Sequence, residues 1–225
     1  NPKVGTFFAF NIDINRFACK ESRIMRKIWL LCIFLVMSAQ ATTNMWVNAG
    51  QAYGIEPRLL YAISKVESNL RPFVISVNYK KLSYSQREGI YRMLKNKNIS
   101  HHTFTKVIEI DNKNIFQAQQ VISFLDSNHY PTFDIGLMQI NNVHKKTLAK
   151  NGISLYALLN EDTNLHVAAG ILWTCYKKHK SSHKAINAYN GRTIGNTYYS
   201  KVFTVLNNLL LPSEDASKQL FYCVI

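Results

Sequence analysis

Three widely separated segments carry residue types that together could break a bond between sugars. Glu67 closes a run in which Leu59, Leu60, Ile63, Val66 and Leu70 recur at helical spacing. It lies one turn after Ile63 and beside Val66, so its carboxylate projects at the border of the apolar stripe, away from Arg58 and Lys65. Partial desolvation there raises a carboxyl pKa. A carboxylic acid held protonated at neutral pH can give its proton to a departing glycosidic oxygen. Ser68 comes next, with two uses open to it: orienting the carboxylate or a substrate group, or satisfying backbone at the helix end. Much later come Gly136-Leu137-Met138-Gln139-Ile140-Asn141 and Asn187-Ala188-Tyr189-Asn190. Gly136 permits close approach of the backbone to a sugar, Met138 offers a soft apolar surface, and Gln139 presents both donor and acceptor to an N-acetyl group or hydroxyl. Each segment alone has a plainer reading. A helical Glu can merely solvate its face, a Gly-led string can be an ordinary turn, and Tyr189 can be a core residue.

The elements that must position these groups are mostly helical. Met45–Tyr53 reads as a short helix closed by Gly54, and Pro57 suits the first position of the next helix, which bears Glu67. Val74–Tyr79 and Phe104–Ile110 are rich in β-branched and aromatic residues and read as strands that pair. Between them Ser83–Lys97 reads as a basic helix with Arg87, Arg92, Lys95 and Lys97. Lys113–Asp126 places Ile115, Ala118, Val121, Ile122 and Leu125 on one helical face, and a loop over Tyr130–Asp134 then delivers the chain to Gly136. Beyond it, Leu155–Leu159, Thr163–Lys178 and Tyr198–Leu210 read as helical, the second with Leu165, Ala168, Ala169, Leu172 and Cys175 on its apolar face. Repeats and low-complexity runs are absent from the sequence.

The Glu67-Ser68 pair on an apolar helix, the Gly136–Asn141 string and the Tyr189-Asn190 pair, in this order, resemble the soluble-type lytic transglycosylases. Within that family the likeness is to members that accompany type IV secretion and conjugation machines. They too carry a segment like Pro72–Asn78, a helix, and an Asp-x-Gly-x-Met-Gln loop, here beginning at Asp134. The resemblance implies a mainly α (α+β), lysozyme-like fold with helices around a substrate cleft and a small β element as one wall. It implies cleavage of the MurNAc-GlcNAc β-1,4 bond of peptidoglycan, with Glu67 catalytic and Ser68, Gly136, Met138, Gln139, Tyr189 and Asn190 at the substrate. No cofactor is implied. After cleavage assisted by the substrate's N-acetyl group, the acid turns base and the sugar's own C6 hydroxyl closes onto C1, giving a 1,6-anhydro end. The chain departs from the pattern twice: Gly191-Arg192 stands where Ala-Gly is usual, and Lys80–Thr103 is longer than expected. Hydrolysing glycosidases generally use two carboxylates, and Asp134 is the obvious second one. A hydrolytic muramidase using Asp134 with Glu67, or a glycan-binding module without turnover, are therefore the alternatives.

The chain has 225 residues, 47% of them hydrophobic and 12% aromatic, enough for one filled core. Met25–Ala41 reads as a secretory signal, with Arg26 and Lys27 as basic head, Ile28–Met37 as apolar run and Ser38-Ala39-Gln40-Ala41 as cleavage site. That apolar run is well short of the roughly 20 residues a membrane span needs, and Cys32 within it lacks the small neighbours of a lipoprotein cleavage site. Residues Asn1–Ile24 read as an over-extended gene start, and Thr42 to Ile225 as an exported, periplasmic catalytic domain. Removing residues 1–41 takes away six basic and two acidic residues and lowers the net charge from +14 to +10. Such a field favours anionic partners, whether cell wall or nucleic acid; the export signal argues for the wall and against nucleic acid, and secretion-apparatus components are the further expected partners. Cys175 and Cys223 remain after export, as a disulfide or, for Cys175 on its apolar helix, a buried thiol. No metal site is expected: His179, His183 and the His101-His102 pair read as solvated positions. The sequence has no phosphate loop, dinucleotide fingerprint or nucleophile-elbow motif.

Overall fold

In the computed structural model the described residues are 45–191, 197–209 and 220–221. The signal segment and Cys223 lie outside them. The first helix, α1 (Met45–Tyr53), ends at Gly54, whose φ of 63° makes the left-handed turn that a side chain would resist. Next, α2 (Pro57–Ser68) has Pro57 in its first turn and stops where Asn69 takes the left-handed cap conformation. Leu59, Leu60 and Ile63 of α2 are fully buried, which leaves Glu67 in the last turn at the edge of that stripe.

The expected strand pair forms as β1 (Ile75–Asn78) and β3 (Val107–Asp111). Three strands that the sequence reading left as loop or helix flank join them: β2 (Ser100–Thr103), β4 (Phe133–Ile135) and β5 (Ile140–Asn141). The sheet is antiparallel throughout, in the order β2-β3-β1-β4-β5. Ile75 pairs with Ile110 and Ile135, and Val77 with Ile108 and Phe133, so strand alternation gathers one wholly buried apolar face. The opposite face carries Ser76 between Glu109 and Asp134, all half-buried. That register puts a carboxylate at position 134 on the side away from the core.

The segment Lys80–Thr103 builds part of this wall. A 3₁₀ turn (Tyr79–Lys81) leads into α3 (Tyr84–Asn96), which starts with a reciprocal capping box between Ser83 and Gln86 and buries Ile90, Met93 and Leu94. Tyr130 donates from its hydroxyl to the Gln86 carbonyl at 2.8 Å and so ties α3 to the end of α4 (Ile115–Ser127). Then β2 returns along the sheet edge, and Phe104–Lys106 is a hairpin turn rather than the first half of a strand.

After β5, α5 (Lys145–Lys150) and a 3₁₀ turn (Tyr156–Leu159, expected as helix) lead to α6 (Glu161–His179), capped by Asn160. The last helices are α7 (Ser182–Tyr189) and α8 (Tyr198–Asn207). Helix α6 packs on α1 and α7, and α2 packs on α8. The fold is mainly α with a small antiparallel sheet, the lysozyme-like arrangement expected. Among the described residues no helix is long and apolar enough to cross a membrane.

Candidate active site

Glu67, Asp134, Tyr189, Asn190 and Tyr198 come from α2, β4, α7 and α8, and electrostatics and hydrogen bonds link them into one cluster. The Tyr198 hydroxyl donates to Glu67 Oε1 at 2.6 Å. Burial raises the Glu67 pKa to about 7; the Tyr198 hydrogen bond opposes the rise, the nearby Asp134 charge adds to it, and a hydrogen bond from Asn190 opposes it. Because Oε1 accepts from Tyr198, the proton of the neutral acid belongs on Oε2. Glu67 as a residue is half-buried, while its carboxyl is strongly desolvated.

Asp134 is pushed up to about 6, again by burial first, against a hydrogen bond from Asn141 and the positive charge of Lys81. Cross-strand pairing of Asp134 with Asn141 sets that bond, Asn141 Nδ2 donating to Asp134 Oδ1 at 2.7 Å. Burial thus raises both carboxyls of the cluster above the ordinary carboxylate range. Tyr189 donates to the Met138 carbonyl at 2.8 Å, and burial together with the charges of Glu67 and Asp134 keeps its phenol protonated.

The loop after β4 is held almost wholly by protein. Asn164 of α6, fully buried, accepts from the Met138 amide at 2.8 Å and donates to the carbonyls of Ile135 at 2.9 Å and Leu158 at 2.8 Å. Gly136 has a φ of 77°, and a Cβ there would lie 2.6 Å from Asn164 Nδ2 and 2.7 Å from the Leu158 carbonyl oxygen. The close approach that Gly136 permits is therefore to Asn164 and Leu158, a correction to its expected approach to sugar. Met138 is also corrected: its side chain is fully buried in the core and has no face left to pack on a sugar. Gln139, itself at a φ of 49°, closes the turn by donating from Nε2 to the carbonyls of Gly136 at 2.8 Å and Val74 at 3.2 Å. Of the two uses open to Ser68, the structure takes the backbone one. Its buried hydroxyl donates to the Leu137 carbonyl at 2.7 Å, binding the acid helix to the loop.

Two further braces fix the helix ends. Arg71 donates to the Ser68 carbonyl, to Glu109 and to Asp111, which pins the end of α2 to β3. Asn187 Oδ1 accepts from the Tyr199 amide at 2.8 Å and thereby sets the start of α8, where Tyr198 stands. Sequence reasoning missed Tyr198 and Asn164. Tyr198 was legible only as the start of a helix, and the one hint of Asn164 was an amide beside the apolar face of α6. Cys175 is a half-buried free thiol on α6. Among the described residues no group of His, Cys, Asp or Glu could hold a metal.

The family model described as the Transglycosylase SLT domain matches residues 44–200, well over half of the chain. The chain belongs to the SLT transglycosylase family. Peptidoglycan is thus its substrate class and transglycosylase its class of activity, exercised in the periplasm or outside the cell. The SLT chain is 26% identical over 208 residues to the invasion protein IagB of Salmonella typhi, covering 89% of this chain and 99% of that one. Against IagB of Salmonella typhimurium strain LT2 it is 26% identical over 204 residues, with 87% and 96% covered. A peptidoglycan-binding-like protein of Escherichia coli O157:H7 is 25% identical over 191 residues, with 81% and 87% covered. The matched span contains the whole Glu67 cluster, from α2 to the first turn of α8.

Proposed function

We propose that the protein is a lytic transglycosylase in which Glu67 acts first as acid and then as base. The observation that carries this reading is the desolvated Glu67 carboxyl near pKa 7, held on Oε1 by Tyr198 at 2.6 Å. At neutral pH such a group is present in both protonation states, so it can donate to the glycosidic oxygen and afterwards accept from the C6 hydroxyl. The C6 oxygen bonds to C1 as the substrate's N-acetyl group leaves it, and no water is consumed. Tyr198 and Asn190 keep the carboxyl in place, and Gln139, whose Nε2 is spent on the loop, offers its amide oxygen to the N-acetyl N–H. Ser68, Gly136 and Met138 position this loop from behind.

The Asp134 carboxyl at about 6 also favours a second reading, in which Glu67 and Asp134 deliver water as a muramidase does. Digesting purified murein sacculi and weighing the released muropeptide ends separates the two. The transglycosylase gives 1,6-anhydro ends, and ends heavier by one water overturn it.

In its cellular setting the protein is exported by the Met25–Ala41 signal and opens the wall locally for a secretion or conjugation apparatus. Support comes from the likeness to secretion-associated transglycosylases, and the relatives named for invasion and for peptidoglycan binding fit work at the envelope.

A further inference from the structure

We propose that the exposed face of α4, with Tyr156, is a second carbohydrate surface that seats an uncharged stretch of the glycan strand outside the Glu67 cluster. The proposal rests on peptidoglycan being the substrate and adds a site to it. Phe116, Gln119, Gln120, Ser123 and Tyr156 line an open surface hollow of about 460 Å³. The core-facing stripe of α4 is Ala118, Val121, Ile122 and Leu125, so these four α4 residues form a separate second face at the spacing of one helix side.

Three features of this face favour sugar. Phe116 is 72% exposed and Tyr156 43% exposed, and two large rings left beside one cavity are surface that folding did not use. Flat rings of this kind cover the C–H faces of a pyranose. Among the described residues the side chains of Gln119, Gln120 and Ser123 are committed to no hydrogen bond, which leaves two amides and a hydroxyl for sugar hydroxyls and N-acetyl groups. Among the described residues the lining also contains no charged residue, although the chain carries +14. A neighbouring cavity on α3 shows the contrast, with Arg92 and Lys97 in its wall. Peptide stems bring carboxylates and call for cations, whereas the neutral wall matches the glycan.

The face is tied to the loop after β4 through hydrogen bonds. Tyr156 opens the 3₁₀ turn whose Leu158 carbonyl accepts from Asn164, the same side chain that holds Ile135 and Met138. The platform and the substrate loop therefore hang on one buried bracket.

The test titrates the full protein with N-acetylglucosamine tetramer and, separately, with a free stem peptide, following the side-chain resonances of Phe116 and Tyr156. Shifts with the sugar and none with the peptide are expected. In the Phe116→Ala/Tyr156→Ala variant, which removes only exposed rings, the sacculus concentration for half-maximal rate should rise about tenfold with kcat within about twofold. Gln120→Ala, which leaves both rings in place, should shift the same dependence in the same direction and guards against misfolding of the double variant. Silent rings, rings that answer to the peptide instead, or an unchanged sacculus dependence would each overturn the proposal. Sugar-induced shifts in a protein that releases no muropeptides would keep this surface and overturn the transglycosylase reading, so the two failures are distinct.

Discussion

At the scale of the residue, the proposed chemistry rests on Glu67, a carboxyl whose pKa burial raises to about 7. Glu67→Gln should lower turnover on sacculi by about 10² to 10⁴ while leaving sacculus binding intact, measured as kcat against co-sedimentation. The same variant should be more stable than the parent at high pH. The folded-state pKa of about 7 lies above the ordinary value of 4.5, so folding favours the protonated acid. The stability linked to that proton is complete below pH 4.5 and is lost as pH rises through about 7. Melting temperatures at pH 4 and pH 8 check this: the gap between variant and parent should be larger at the higher pH. The neighbours tune the acid in opposite directions. Tyr198→Phe removes a hydrogen bond that favours the charged form, so the Glu67 pKa rises and the alkaline limb of the kcat/KM profile moves to higher pH. Asp134→Asn removes a repelling charge, and that limb moves to lower pH. Shifts of the same sign in both variants would contradict the cluster as described.

At the scale of the element, the decisive contacts join pieces that are remote in sequence. Asn164 satisfies one amide and two carbonyls at once, none of which has water to turn to. Asn164→Ala should therefore cost about 2 to 5 kcal/mol in urea unfolding and reduce activity with it. The stripe of α2, the apolar face of α6 and the β1-β3 pair were readable because several residues repeat the same period. The strands β4 and β5 were not, since three and two residues hold no period to read. For Ser68 the residue type left two partners open, and only the approach of the Leu137 carbonyl chose between them. Met138 looked like a sugar contact from its place in the motif, yet packing turned its side chain inward and left its carbonyl to Tyr189.

At the scale of the whole molecule, net positive charge should hold the protein to an anionic wall. Sacculus co-sedimentation should weaken markedly between about 0.05 and 0.5 M salt, because exposed charges are screened beyond roughly 10 Å at 0.1 M. Turnover of a short uncharged glycan should change far less over the same range. By itself the sequence determined the mainly helical class and the place of Glu67 at the edge of an apolar stripe. Each of these is encoded in neighbours along the chain. The tertiary structure alone decided that Tyr198, 131 residues from Glu67, grips its carboxylate, that Asp134 faces away from the core beside it, and that Asn164 carries the loop. Such pairings follow from which surfaces exclude water together, and spacing along the chain holds no record of that.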